Sequence, residues 1–206
     1  MILRVNPNRM ELLRLRKRLA LAVRGHTLLE DKLEEMMRRF MQLLKDIDQA
    51  KEAFQRKTHT IAEDLTYCRI TTPQEYFEQS VSQIDTETKI AVSTMRIMNV
   101  RVPLIALEEL TIKPHYDFFR TSAQLDVVVA GAREYVTSLL KLAQLLKTLD
   151  ILASEIERTR RRVNALEYVL IPSIQDTIRS ITQKLNEFER GNLVRLMRVK
   201  EIVRSH

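Results

Sequence analysis

A chain of 206 residues with only three glycines and five prolines has few places to turn. That scarcity excludes sandwiches, barrels, propellers and doubly wound sheets, whose many loops draw on these residues. At 45% hydrophobic and 30% charged the chain is too apolar to be disordered, and its formal net charge of +7 raises the question of which partner meets it.

Reading from the N-terminus, Asn6 followed by Pro7 supplies a helix cap and a first turn. Leu12, Leu19, His26, Leu33, Phe40, Ile47, Phe54, Ile61 and Cys68 then recur every seven residues. A companion row, Leu15, Ala22, Leu29, Met36, Leu43 and Ala50, runs three positions on before turning polar at Lys57 and Asp64. Two such rows are the a and d positions of a coiled coil, and they predict one helix over about 7–68 within an N-terminal segment 1–69. His26 interrupts the first row, and is read as a polar residue that fixes register in the seam. Gly25 and, later, Gly131 sit inside helical patterns, where the missing Cβ is expected to admit another backbone or a bulky side chain.

The middle segment, 70–117, holds Pro73, Pro103 and Pro114. A short helix is expected over 73–82, followed by a β-hairpin whose strands cover 88–95 and 99–107 and turn around Arg96 to Asn99.

From 118 to 206 the helical pattern returns. Leu125, Ala132, Leu139, Leu146 and Ala153 form one row, and Val128, Tyr135, Leu142, Leu149, Ile156, Val163 and Leu170 its partner. After Leu170 the phase slips by four to Ile174, Ile181 and Phe188. A stutter at Pro172 is therefore expected to bend the helix without ending it. The fold class is all-α dominated: a long antiparallel two-helix coiled coil, both termini at one end, with a small middle segment carrying a short helix and a β-hairpin.

Charge sorts along this arrangement. Residues 1–39 hold ten Lys/Arg against five Asp/Glu and residues 158–206 hold eleven against five, whereas 70–117 hold four against seven. Within ERTRRRVN, Glu157 and Arg161 are spaced as an i,i+4 ion pair, while Arg158 and Arg162 share one exposed face. No phosphate loop, zinc-protease helix or nucleophile elbow occurs. The four histidines are scattered and the one cysteine is alone, so neither a metal site nor a cofactor is expected. The basic N-terminus lacks the apolar stretch of a signal peptide, and no apolar run approaches the ~20 residues of a membrane span. A cytoplasmic location without direct membrane insertion is the expectation.

Four stretches, Asn6–Leu12 (NPNRMEL), Arg24–Lys32 (RGHTLLEDK), Ile156–Ile174 (IERTRRRVNALEYVLIPSI) and Glu187–Lys200 (EFERGNLVRLMRVK), resemble the D subunit of the V-type and A-type rotary ATPases, their central rotor shaft. They stand in the family's order and spacing, with IMNVRVPL between the pairs, and the resemblance spans essentially the whole chain. Asn8 stands where the family often has Thr, and Gly191 where a better helix former is usual.

The resemblance implies a non-catalytic central-stalk subunit, peripheral to the membrane. It would transmit torque between an ATP-hydrolysing or ATP-synthesising hexamer and a membrane ring that translocates protons or sodium ions. The implied partners are the catalytic and nucleotide-binding subunits of the hexamer, a small F subunit beside the middle region, and a funnel-shaped subunit on the ring; no nucleic acid is expected. On this footing Arg9, Arg14, Arg16, Lys17, Arg195, Arg198 and Lys200 form a basic tip inside the hexamer cavity. The hairpin residues Ile90, Val92, Met95, Ile97, Val100, Val102 and Leu104 meet the F subunit or the hexamer rim and stay outside the chain's own core. Arg158, Arg161 and Arg162 lie on the shaft surface. The alternative is a basic coiled coil that binds nucleic acid or acts as a scaffold.

Overall fold

The computed structural model describes residues 6–114 and 123–204. His115, His206 and the predicted helical residues 118–122 lie outside them. Helix α1 (Arg9–Thr71) is followed by α2 (Gln74–Ser82), strands β1 (Ile84–Ile97) and β2 (Val100–Pro114), and helix α3 (Ala123–Ala165). A π-helical turn (Leu166–Leu170) then leads into α4 (Ile171–Arg204).

Helix α1 starts two residues later than expected because Asn8, and not Asn6, caps it. The Asn8 carbonyl accepts the Leu12 N–H at 3.0 Å and its Oδ1 accepts the Met10 N–H at 3.4 Å, satisfying donors that a helix start leaves unpaired. Threonine, the residue the resemblance leads one to expect at position 8, caps in the same way. Every member of the two predicted rows of α1, from Leu12 to Cys68, is buried or half-buried.

The chain forms two compact units, Met1–Glu35 with Ile156–His206, and Met36–Glu155. In the first, Leu15 packs against Ile174 and Ile181, with Leu12, Leu19, Leu170, Ile178 and Leu185 around them, so α1 and α4 run antiparallel and the start of α1 lies beside Glu189 of α4. In the second, Phe54 stacks on Tyr135 with ring centroids 5.2 Å apart. The polar members of the α1 seam find polar partners on α3: Lys57 Nζ lies 3.2 Å from Glu134 Oε2, and Gln124 Nε2 donates to Asp64 Oδ1 at 3.0 Å. Cys68, Leu125, Phe77 and Ile84 close this unit's core where α1, α2, β1 and α3 meet.

The hairpin is longer than expected. Its strands pair antiparallel from Ile84↔Pro114 to Ile97↔Val100, so the turn shrinks to Met98 and Asn99, with φ of 48° and 68°. Positive φ at both positions is what a two-residue turn of the type that matches strand twist requires. Register passes from Lys89↔Glu109 to Ile90↔Leu107. Glu108 is therefore a bulged extra residue that breaks the period-two pattern and conceals the outer half of each strand.

Helix α3 departs from the predicted seam. The row Val128 to Leu170 is buried or half-buried throughout, but its expected companion is not: Leu139 and Leu146 are 43% and 48% exposed. Leu145, Leu152, Thr159, Leu166 and Ser173 occupy the seam instead, one residue earlier in each heptad. After the π-turn the frame advances by one, to Ile174, Ile178, Ile181 and Leu185. A π-turn inserts one residue into a helix, and here the Ile171 N–H reaches back five residues to the Leu166 carbonyl. Pro172, lacking an N–H, follows directly, and Ser173 Oγ donates to the Leu170 carbonyl at 2.9 Å. The expected stutter is thus a one-residue insertion over Leu166–Leu170, just before the proline, and it re-aims the seam.

The glycine expectation fails within the chain: beyond the adjoining residues and backbone of its own helix, no atom lies within 4 Å of a Cβ built on Gly25, Gly131 or Gly191. Among the described residues no helix is long and apolar enough to cross a membrane, and no group of His, Cys, Asp and Glu is arranged to hold a metal ion.

Candidate functional site

The packing of Leu15 on Ile174 and Ile181 places the predicted basic residues of both chain ends on one unit. Arg9 Nη2 lies 2.5 Å from Glu189 Oε1, and Arg14 Nη1 lies 3.5 Å from Glu11 Oε2. Arg16, Lys17, Arg195, Arg198 and Lys200 are exposed and have no ion-pair partner among the described residues. Arg195, Arg198 and Lys200 lie within six residues of one helix, and cations so close without internal neutralisation raise the local potential, a field that an anionic surface relieves.

The same end carries a feature that charge counting passes over. Arg9 meets Glu189, so the α4 residues past that point extend beyond the start of α1. Leu193, Val194, Leu196, Met197, Val199, Ile202 and Val203 there are all 56–70% exposed. At 100° per residue these seven side chains occupy every side of the helix. A surface helix normally buries an apolar stripe and wets the rest; here exposed apolar side chains lie on every side, interspersed with Arg195, Arg198 and Lys200, a surface that fits an enclosing wall. The sequence signal is the stretch LVRLMRVKEIV, in which apolar residues keep no heptad frame once the coiled-coil partner has run out.

The structure divides the predicted hairpin set. Val102 and Val100 are 1% and 8% exposed, and with Ile97 and Met98 they border a cleft of about 450 Å³ against Leu43 and Leu152. The Ile105 N–H donates to Gln144 Oε1 at 3.0 Å. These residues join the chain's own core, contrary to expectation, because cross-strand neighbours share a face and the face of Ile97, Val100 and Val102 packs on the helices near the turn. Ile90, Val92, Met95 and Leu104 remain 41–68% exposed and are the part of the set open to a partner. Lys89 and Glu109 pair across the strands at 2.6 Å.

Arg161 pairs with Glu157 one helical turn back, as the spacing predicts. Arg158 and Arg162 stand exposed, with no ion-pair partner among the described residues. Among the described residues this arrangement offers surfaces and charge for binding.

A family model described as the ATP synthase D subunit matches residues 11–201. Over 207 residues the chain is 42% identical to the V-type ATP synthase D subunit of Acetivibrio thermocellus, an alignment that covers 98% of this chain and 93% of that protein. It is 40% identical to the V-type ATP synthase D subunit of Clostridium novyi, covering 98% and 95%. Identity to the protein of the same name in Thermoanaerobacter sp. is also 40%, over 98% of both chains.

Proposed function

The chain belongs to the ATP synthase D-subunit family, and from that membership we propose that it serves as a non-catalytic central-stalk subunit of a V-type or A-type rotary ATPase. It transmits torque between the nucleotide-hydrolysing or nucleotide-synthesising hexamer and the membrane ring. Its partners are the catalytic and nucleotide-binding subunits of the hexamer, the small F subunit, and the funnel-shaped subunit on the ring. Its place is cytoplasmic and peripheral to the membrane.

The observation that carries this reading is the end of α4. Seven large apolar side chains exposed on all sides of one helix are unfavourable in water and suit a cavity that encloses the helix. The unpaired cations on it, Arg195, Arg198 and Lys200, with Arg16 and Lys17 further back on α1, give that insertion an electrostatic guide and a sensitivity to salt. The antiparallel packing of α1 on α4 supports the bending resistance that a torque-bearing element needs. The exposed half of the hairpin, Ile90, Val92, Met95 and Leu104, is the surface for the F subunit or the hexamer rim. Arg158 and Arg162 lie on the solvated face of the shaft. No observation favours a nucleic-acid-binding or scaffold coiled coil, and the arginine most central to the basic run, Arg161, is held by Glu157.

The test is charge reversal of Arg16, Lys17, Arg195 and Arg198 to glutamate. Reconstitution with the other subunits is expected to slow at low salt, assembly to lose its salt dependence, and ATP hydrolysis to uncouple in part from ion movement. Wild-type salt dependence together with intact coupling would remove the basic end from the mechanism.

A further inference from the structure

His26 is the one ionisable residue in the first row of the α1 seam up to Cys68, and its surroundings are unusual. Its side chain is 15% exposed and stands between two carboxylates. Nδ1 lies 3.1 Å from Glu30 Oε2, one turn along α1. Nε2 lies 3.8 Å from Glu167 Oε2, which belongs to the π-turn. At that distance Nε2 makes no hydrogen bond, and it is buried without a partner. Neither Glu30 nor Glu167 has another ion-pair partner among the described residues.

A neutral imidazole carries one N–H and one lone pair. With the proton on Nδ1, the Glu30 contact is a hydrogen bond, but the Nε2 lone pair faces the Glu167 carboxylate. With the proton on Nε2 the conflict moves to Glu30. Only the imidazolium, with two N–H donors, satisfies both carboxylates, and it needs Glu167 to close by less than 1 Å to convert the 3.8 Å contact into a charge-assisted hydrogen bond. Glu167 is half exposed and carried by the one irregular turn of the helix, so that movement is open to it.

We propose that His26 is a proton-operated latch. Proton uptake ties α1 to the π-turn through Glu30 and Glu167, and proton release frees the turn. Because the π-turn sets the frame in which Ile174, Ile178 and Ile181 meet α1, the latch governs how firmly that frame is held. The helix pair is stiffer when His26 is charged and more compliant when it is neutral. The inference concerns the chain's own unit and does not rest on the rotor reading.

Hydrogen–deuterium exchange of the full chain, corrected for intrinsic exchange and compared between about pH 5.5 and about pH 8, spans the window in which imidazoles change charge. Protection of the amides over Leu166–Ile174 is expected to be at least about fivefold greater at the acid end, relative to amides around Ile47. Both His26→Gln and Glu167→Gln are expected to abolish that difference. The second removes a half-exposed charge, so it stays informative even where the first perturbs folding. Wild-type protection that does not change with pH overturns the proposal, and so does a pH response that survives Glu167→Gln.

Discussion

Replacing Leu196, Met197 and Ile202 together by glutamate is expected to weaken association with the catalytic hexamer by at least about a hundredfold while leaving helical content and thermal stability close to wild type. The stability half of this expectation follows from exposure: the three side chains are 66%, 63% and 60% accessible and lie beyond the α1 residues that pack on α4. Surface changes of this kind alter stability by at most about 0.5 kcal/mol. The binding half follows from the enclosure proposed for this end of α4. Apolar anchors buried at the centre of an interface commonly carry about 2 kcal/mol each, and about 1.4 kcal/mol corresponds to a factor of ten. The introduced carboxylates would also have to be desolvated inside the cavity. Pull-down with purified hexamer, alongside circular dichroism of the free variant, separates the two halves. Equal capture by wild type and variant would show that the α4 end is not enclosed.

A second large effect distinguishes two leucines of the same helix. Leu152→Ala is expected to destabilise the chain by about 2–4 kcal/mol, because the side chain is 3% exposed and its loss leaves a cavity between α3, α1 and the hairpin. Leu146→Ala, in the row that heptad counting favours but 48% exposed, is expected to cost less than about 1 kcal/mol. Urea unfolding of the two variants measures the difference directly. Equal midpoints would mean that the seam runs through Leu146.

These two leucines also show what was legible in the residues. In α1 the rows from Leu12 to Cys68 were readable because each position holds an apolar residue or a polar one with a partner across the seam, as with Lys57 and Glu134. In α3 both candidate companion rows contain leucines, Leu139 and Leu146 in one and Leu145 and Leu152 in the other. Periodicity cannot choose between frames one residue apart when both are apolar, and the buried row includes the polar Thr159 and Ser173, which argue against it on composition. The choice was settled by packing.

The same ambiguity shaped the candidate site. Charge and spacing identified the basic end and the Glu157–Arg161 pair. They missed the α4 terminus because its apolar residues have no period to detect. Of the hairpin set, Ile97, Val100, Val102, Met95 and Leu104 share one face, so strand alternation could not separate the residues covered near Leu43 and Leu152 from Met95 and Leu104, which stay exposed. Asn8 was passed over as the cap because Asn6 before Pro7 presents the more familiar signal, and bulged Glu108 hid the outer strand pairs.

On the proposed function, one copy of this chain forms the core of a rotary complex. Native mass measurement of the assembly captured from solubilised membranes by an affinity-tagged full-length chain tests it most directly. A single copy bound to a complete hexamer of catalytic and nucleotide-binding subunits is expected. Recovery of the chain as a homodimer, or with nucleic acid and without hexamer subunits, would contradict it.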